Sequence, residues 1–478
     1  MELKLDKQGS LYEQIARAMK RAILEGRLPA GSKLPSTRAL AVALHVSRKS
    51  VIEAYELLSV EQLTTARGGS GTRVANVRPA PPRGRGPATS RPTSRYVARM
   101  RTLGPITLGS RPGLTYSLHL GEPVVNPTLF NSWRRKLAAA ALRAGPKYPS
   151  PVGFPPLRRA IADYLGRRRG LICDASDILI VGGTQQALTI ATRVLVDNRD
   201  SVVVEDPHYQ MAVHALIAHG ARVHGVRCDD SGLVVRELPQ RPVRMIYVTP
   251  THQFPSGSIL SLARRLELLD WANQNDSWIF EDDYDSEFHS GKRPIPTLRS
   301  LDLADRVIYA GTFSKTLFPS LRIGYLVCPK RLRRDLFNTK LLDDNGSATI
   351  EQAALATFIE SRQYDKHLRK TVVELARRRR AVVDTLKRLL GSRVAIGPHE
   401  GGMHLVVWLP EFSFRALNEL IKLAATRSLG LYPVHPYYLT RPARPGLLIG
   451  FAGHSSAQLK TAIELLVDCF KSVLAEGL

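Results

Sequence analysis

Short apolar runs alternate with helical patterns from about residue 115 onward, and this alternation limits the possible folds more than any other feature of the chain. The runs are rich in Val, Ile, Tyr and Phe, and stretches with helical spacing, such as residues 185–196 and 261–274, separate them. They are DILIV at 177–181, SVVVE at 201–205, RMIYVTP at 244–250, SWIFED at 277–282 and RVIYAG at 306–311. Such alternation predicts βαβ units and a mainly parallel sheet covered by helices. After about residue 348, a long helical stretch and short strands around 403–408 and 446–451 predict a smaller α+β lobe.

A basic, proline-rich stretch precedes this region. Residues 76–112 contain eight arginines and seven prolines but no Asp or Glu, whereas residues 1–75 have compact helical patterns. Prolines favour extended chain and like charges repel, so the stretch is expected to be an extended tether, with contacts to DNA backbone left open. A chain of 478 residues also exceeds the size of a single core. The sequence therefore predicts an α/β multidomain protein with domains at 1–75 and 113–478 and a linker at 76–112.

Charge and composition narrow the functional classes. The formal net charge of +26 and the pI of about 10.2 favour a polyanionic partner, although a protein from an arginine-rich proteome would look similar. No apolar run approaches the roughly 18 residues that span a bilayer, and the N-terminus lacks the pattern of a secretory signal. Four scattered cysteines without CxxC spacing argue against a disulfide framework or a zinc site. We therefore expect a cytoplasmic protein with no membrane association and no metal.

The N-terminal residues have the pattern of three helices followed by a hairpin. The first helix has Leu11, Ile15, Met19 and Ile23 along one face and ends near Gly26 and Pro29. Ser36 and Ser47 are placed to cap a second and a third helix. Leu40 and Leu44 are predicted to face the core from the second helix, and Val51, Tyr55 and Leu58 from the third. The segments LTTAR and TRVA then flank GGSG, which predicts a short β-hairpin.

This string resembles the winged helix of GntR-family DNA-binding proteins. The resemblance implies that the N-terminal end of the third helix enters the major groove. Arg38 and Arg48 would then contact DNA, helped by Lys49, Ser50 and Arg67, because guanidinium groups bind phosphate or a guanine edge with two hydrogen bonds. The chain departs from the family at Gln62, where a glycine usually follows the glutamate after the third helix. A three-helix subdomain without DNA binding is the alternative interpretation.

Five further motifs follow predicted strands. The segment GTFSKTLFPSLRIGY places Lys315 just after one strand, FEDDYDSEF places Asp282 at the end of another, and GGTQQAL places Gly183 at a strand-to-helix turn. EDPHY contains Tyr209 and PTHQFPSG contains Gln253. Ligands bind at the carboxyl ends of strands in open α/β sheets, and helix N-termini bind anions. Each feature alone is also consistent with a surface lysine, a solvated turn or a simple bend.

In this order, the motifs resemble those of fold-type-I aminotransferases, which use pyridoxal phosphate (PLP). The resemblance implies that Lys315 is the Schiff-base lysine, that Asp282 pairs with the pyridine nitrogen and that Tyr209 stacks on the ring. It implies that Tyr284 and, as a substitute for an asparagine, Gln253 lie near the ring oxygen. The phosphate would be held by Gly183, Thr184, Gln185, Thr312, Arg322 and, from the neighbouring subunit of a homodimer, Tyr148.

Together, the winged helix, the basic linker and the aminotransferase-like domain resemble the MocR-type transcription regulators over nearly the whole chain. This resemblance implies a head-to-tail homodimer that binds double-stranded promoter DNA and senses PLP, or its imine with an amino acid or amine. One departure weakens the case for turnover: Leu448 stands where many aminotransferases have a carboxylate-binding arginine, although Arg441 and Arg444 are close in sequence. The alternatives are a PLP-dependent aminotransferase with an incidental DNA-binding module, including a residual half-reaction, and a nonspecific DNA-compacting protein. The effector, the operator and the direction of regulation are left open.

Overall fold

The computed structural model describes residues 3–67, 71–76, 93–104, 113–124, 126–143, 145, 148–289, 295–397 and 401–475. The chain divides into two compact units, Met1–Pro92 and Thr93–Leu478.

The first unit is a winged helix. Its elements are α1 Leu11–Leu24, α2 Thr37–Leu44, α3 Arg48–Val60, β1 Thr64–Arg67 and β2 Gly71–Val74. Both predicted caps are present, since the Ser36 and Ser47 hydroxyls accept hydrogen bonds from the Ala39 and Ser50 amides. The antiparallel strands pair Thr64 with Val74. The predicted inward faces are buried except at Leu11, which is 47% exposed because it lies in the first turn of α1, and at Leu44, which is half-buried.

Part of the predicted linker lies outside the described residues, at 77–92 and 105–112. The described part differs from an extended tether, because α4 Arg95–Arg101 is a helix. The Ser94 hydroxyl caps it, and no proline lies between residues 93 and 104 to interrupt it. The Arg99 guanidinium donates a hydrogen bond of 3.2 Å to the carbonyl of His219 in the same unit.

The second unit is built on a large mixed sheet. Among the described residues, eight strands have the order β4, β11, β10, β9, β8, β5, β6, β7, and only β11 and β7 run antiparallel to their neighbours. Their bounds are β4 Ile178–Val181, β5 Ser201–Asp206, β6 Arg222–Asp229, β7 Gly232–Leu233, β8 Met245–Val248, β9 Trp278–Asp283, β10 Val307–Thr312 and β11 Gly324–Val327. The central strands are buried because helices cover both faces. The predicted, mainly parallel sheet is confirmed.

The helices of this unit connect and cover the strands. They are α5 Pro127–Arg143, α6 Pro155–Arg169, α7 Thr184–Leu195, α8 Gln210–His219, α9 Leu262–Gln274, α10 Leu298–Leu301, α11 Arg333–Asp344, α12 Thr349–Glu360 and α13 Gln363–Leu390. No helix in the described parts of the chain has both the length and the apolar character needed to cross a bilayer.

A smaller α+β lobe follows, as the sequence predicts. A four-stranded antiparallel sheet has the order β12, β13, β16, β15, and β14 pairs separately with β3. The bounds are β3 Tyr116–Ser117, β12 Ala395–Ile396, β13 His404–Trp408, β14 Leu429–Gly430, β15 Tyr432–Pro433 and β16 Gly446–Gly450, with α14 Phe414–Thr426 and α15 Ser456–Ala475. The β3–β14 pair joins the segment before α5 to this lobe, which brings residues 119–121 toward the large sheet.

Candidate functional site

A cavity of about 290 Å³ lies at the carboxyl edge of the large sheet. Gly183 follows β4, Tyr209 follows β5, Asp282 lies near the end of β9 and Thr312 ends β10. Because the carboxyl ends of parallel strands share one edge of the sheet, the fold brings these distant residues together. The predicted residues that line the cavity are Gly183, Thr184, Gln185, Tyr209, Asp282, Tyr284, Thr312, Lys315 and Arg322.

Lys315 lies in the turn after β10, and its side chain is mostly buried. Burial lowers the pKa of its ammonium group, while Asp285 and Asp282 oppose that change and Arg322 adds to it. A lowered pKa increases the fraction of neutral amine, which is the nucleophilic form. Gly121 lies against the Lys315 amine, and a Cβ at residue 121 would overlap Nζ. Burial therefore favours the nucleophilic form of this lysine.

Asp282 is a buried carboxyl group with one free oxygen. The Tyr247 hydroxyl donates a hydrogen bond of 2.6 Å to Oδ2, whereas Oδ1 has no hydrogen-bond partner among the described residues. Burial raises the pKa of Asp282 to about 7. A buried acceptor without a partner is costly, so a donor in the cavity that bonds to Oδ1 would be stabilised.

The turn between β4 and α7 has the features of an anion site. Gly183 is the N-cap of α7 with φ +116°, and no side chain caps the helix, so the amides of its first turn have no intrahelical acceptor. The Arg322 guanidinium lies beside Gly183, 3.3 Å from the position of an added Cβ. The Ser314 hydroxyl also lines the cavity and is buried without a hydrogen-bond partner. Helix amides, a guanidinium and a free hydroxyl together fit a phosphate group.

Two aromatic side chains form part of the cavity wall. The Tyr209 ring contacts the Phe254 ring edge to face at a centroid distance of 5.7 Å, which holds its orientation. The Tyr284 hydroxyl lies 3.0 Å from Nδ1 of His252, and the same nitrogen lies 2.9 Å from Oδ2 of Asp285. The His252 ring is therefore placed to hold the Tyr284 hydroxyl, and the Asp285 carboxylate lies beside the same nitrogen.

Two predicted residues are not brought into the cavity. The Gln253 amide nitrogen donates hydrogen bonds of 2.7 Å to the carbonyls of both Pro207 and Phe254, so this side chain joins its own loop to the turn after β5. Tyr148 is 90% exposed and does not line the cavity within one chain.

Several lining residues were missed by the sequence analysis. They are His119, Gly121, Ser314, Met403 and His404, together with Tyr247 and Tyr437. Gly121 and Ser314 carried detectable signals, since the first lies in the turn-like segment GEP and the second precedes the predicted lysine. His119 and His404 carried no such signal, because each is equally consistent in its sequence context with a histidine of the hydrophobic core.

The arginines near Leu448 do not reach the cavity. The Arg441 guanidinium lies 3.8 Å from the centroid of the Phe414 ring, at a different surface, and neither Arg441 nor Arg444 lines the cavity. Leu448 itself is fully buried on β16 and pairs in register with Val406 of β13. The position considered for carboxylate binding is therefore apolar.

The N-terminal end of α3 is an exposed basic surface in the first unit. Arg38, Arg48 and Lys49 are exposed, while Ser50 is half-buried because its amide and hydroxyl both bond to Ser47. The Arg48 guanidinium lies 3.4 Å from the Thr37 hydroxyl at the start of α2. Arg67 ends β1, and its side chain lies outside the described residues. Positive charge at an exposed helix end fits the geometry of major-groove binding.

Comparisons with known proteins match the first unit to a DNA-binding family and most of the second unit to an aminotransferase family. Residues 11–74 match the family model described as bacterial regulatory proteins, gntR family, and residues 120–466 match aminotransferase class I and II. The chain is 33% identical over 479 residues to the probable rhizopine catabolism regulatory protein MocR of Rhizobium meliloti, covering 98% of this chain and 95% of the relative. It is 31% identical over 464 residues to the pyridoxine biosynthesis transcriptional regulator PdxR of Corynebacterium glutamicum, covering 96% of each. Kynurenine aminotransferase of Pyrococcus horikoshii superposes with a TM-score of 0.68 at 28% identity, covering 74% of this chain and 90% of that one.

Proposed function

The chain belongs to the MocR-type transcription regulators, which join a GntR-type DNA-binding domain to an aminotransferase class I and II domain, and we propose that its PLP site senses a small ligand. The observation that supports this proposal is that most of the predicted cofactor-binding residues line one cavity in a chain that also has a helix-turn-helix. PLP supplies an aldehyde that condenses with a primary amine. The protein residues have to bind this group, orient it and couple its state to DNA binding.

The unpartnered polar atoms of the cavity support PLP as the bound group. Oδ1 of Asp282 has no hydrogen-bond partner among the described residues, and a protonated pyridine nitrogen would supply a donor. The Ser314 hydroxyl likewise has no partner among them and no side chain caps the first turn of α7, so phosphate oxygens would supply acceptors at both places. Lys315 would hold the aldehyde and Tyr209 would stack on the ring. Tyr284 would bond to the ring oxygen, and Thr312 and Arg322 to the phosphate, with Gly183, Thr184 and Gln185 providing backbone amides.

A head-to-tail homodimer is the assembly that we propose. Its support is that Tyr148 is exposed in the described part of one chain, and that the family resemblance assigns this residue to the phosphate site of the partner subunit. In such a dimer each cavity would be completed by the other chain. A ligand that changes the cavity would then act on the dimer interface.

Regulation would follow from unequal binding to two arrangements of the dimer. Only a difference in affinity between the arrangements can shift their populations, and a change from 1:99 to 99:1 requires about 5.5 kcal/mol. Arg38, Arg48, Lys49, Ser50 and Arg67 would contact promoter DNA. The spacing of two such surfaces in the dimer would decide whether both half-sites are bound.

The experiment that tests this function is replacement of Lys315. We expect Lys315→Ala to abolish the visible absorbance of the bound cofactor and the response to ligand, with basal promoter binding retained in a gel shift. The exposed Lys330→Ala is the matched control and should leave both properties unchanged. An unchanged spectrum in Lys315→Ala would overturn the assignment.

A second candidate function is amino-acid transamination, which the nearly complete set of predicted residues in the cavity favours. Sustained turnover with a keto-acid acceptor, together with no shift of promoter DNA, would support it. The apolar surroundings of Leu448 argue against it, since they offer no charge to bind the carboxylate of an amino acid.

A further inference from the structure

We infer that the cavity beside Lys315 selects amine ligands without a carboxylate and discriminates against amino acids. This inference rests on the proposed sensing function and adds the chemical class of the ligand. It depends on which charges line the cavity and which of them a cofactor would use.

Lys315 and Arg322 are the only lysine or arginine among the lining residues of the described chain. The Arg322 guanidinium lies against Gly183 at the N-terminus of α7, which is the phosphate end of the cavity. The Lys315 amine lies against Gly121, where the aldehyde would be held. A bound cofactor would therefore occupy Arg322 through its phosphate. A ligand amine that displaces Lys315 from the aldehyde would release this lysine as an amine whose pKa burial lowers, so no guanidinium is left for a second anion.

An apolar cluster backs part of the cavity wall. Leu448, Val406 and Val434 form its buried centre, and Leu120 and Tyr437 pack against it and line the cavity. Leu448 and Val406 face each other across β16 and β13, and both are at most 2% exposed. This wall offers dispersion contacts and the Tyr437 hydroxyl but no positive charge for a carboxylate.

The two histidines of the cavity do not supply a positive charge. Nε2 of His404 lies 3.1 Å from the Pro255 carbonyl, so this nitrogen donates its proton there and Nδ1 is left as an acceptor. Burial and the nearby His252 lower the pKa of His404 to about 3. Burial and the Lys315 charge lower the pKa of His119. Neutral imidazoles with an acceptor nitrogen suit an N–H or O–H group of a ligand and do not suit an anion.

Within one chain, a ligand carboxylate would consequently meet no free guanidinium among the described lining residues. An uncompensated buried charge is strongly unfavourable, and the penalty typically corresponds to a factor of a hundred or more in affinity. An amine with an apolar or hydroxyl-bearing tail avoids this penalty because the tail meets Leu120, Tyr437 and His404.

The test titrates the full-length protein, loaded with PLP, with ligands that differ only in the carboxylate. The probes are 2-phenylethylamine, L-phenylalanine and L-phenylalaninamide, followed by visible absorbance and by promoter binding. The midpoint of each titration is the probe concentration that gives half of the absorbance change. It is divided by the midpoint of the same probe with free PLP in buffer, because this ratio removes differences in amine basicity. We expect corrected midpoints for the amine and the amide at least about a hundredfold lower than for phenylalanine.

An equal or lower corrected midpoint for phenylalanine would overturn the inference. A coloured protein that responds to no amine would also overturn it, while leaving cofactor binding intact. A colourless protein that ignores added PLP would instead refute the proposed function together with the inference.

A second, independent experiment replaces Leu448 and repeats the titrations. Leu448→Arg would place a guanidinium behind Leu120 and Tyr437, which line the cavity, and is expected to reduce the corrected preference at least about tenfold through pairing with a carboxylate. Leu448→Met controls for repacking and should retain the wild-type preference. An unchanged preference in a Leu448→Arg protein that still absorbs visible light would count against the inference, and if this variant does not fold, the wild-type comparison decides alone.

Discussion

The Tyr247 hydroxyl donates a 2.6 Å hydrogen bond to Oδ2 of Asp282, and both groups line the cavity at the end of neighbouring strands β8 and β9. This bond orients the carboxylate, and its second oxygen, Oδ1, has no hydrogen-bond partner in the parts of the chain that the structure describes. The orientation of Asp282 is therefore set before a ligand binds, which reduces the entropic cost of binding.

Replacement of Asp282 by Asn should weaken PLP binding by about 2–5 kcal/mol, because the buried pair with the pyridine nitrogen loses its charge. Tyr247→Phe removes only the supporting hydrogen bond and should cost about 1 kcal/mol. The matched control is Tyr309→Phe, whose hydroxyl bonds to Asp283 outside the cavity. Fluorescence titration with PLP measures all three, and an effect of Tyr309→Phe as large as that of Asp282→Asn would contradict the assignment.

Gly183→Ala should weaken PLP binding at least about tenfold. Gly183 has φ +116°, where an L-residue is strained, and an added Cβ would crowd the Arg322 guanidinium at 3.3 Å. The neighbouring Gly182→Ala has no such φ, and its Cβ would approach Oε1 of Gln186 at 3.4 Å, so PLP affinity should change little. Equal losses in the two variants would show that the turn is not an anion site.

Arg48→Ala should weaken binding to the promoter by about 1–3 kcal/mol if the side chain reads a base. If the side chain contacts phosphate, the slope of log binding constant against log salt concentration should instead become less steep by about one unit. Arg236→Ala removes the same charge from an exposed position in the second unit and serves as the control. Fluorescence anisotropy at several salt concentrations distinguishes these outcomes, and identical behaviour of the two variants would exclude a specific role.

Gln62→Gly should stabilise the first unit by about 0.5–1 kcal/mol. Gln62 has φ +58°, a left-handed conformation that glycine adopts without strain. The same change at Ser59, an exposed position inside α3, should destabilise the unit by about 0.5–1 kcal/mol. Thermal denaturation followed by calorimetry compares the two, and loss of stability in Gln62→Gly would contradict the strain argument.

Acid should destabilise the second unit partly through His404. The folded pKa of about 3 lies below the unfolded value of about 6.5, so the unfolded chain binds more protons between these pH values. Burial of the neutral His404 imidazole contributes fully to the free energy of unfolding above pH 6.5. This contribution falls by at most about 1.4 kcal/mol for each pH unit below that value. His404→Gln removes the titration, so the stability difference between wild type and variant should shrink by about 1 kcal/mol from pH 7 to 5.5. Denaturant unfolding at both pH values tests this, and a constant difference would contradict it.

Local patterns in the sequence predicted most of the fold and much of the candidate site. The strand-turn-helix segments placed Gly183, Asp282 and Lys315 at strand ends, since side-chain periodicity and turn residues act over a few positions. Gln253 shows the limit of this approach. Its motif predicted a place near the ring oxygen, but the backbone carbonyls that accept its hydrogen bonds are set by the course of the loop.

What the sequence determined by itself was the order of the elements, the helix caps and the residue types available for PLP and DNA. Only the tertiary structure decided that His119 and His404, far apart in the chain, border the same cavity as Lys315, and that Arg441 does not. The physical reason is that burial and proximity depend on packing between distant segments. They determine which groups are charged, and so which ligand the cavity accepts.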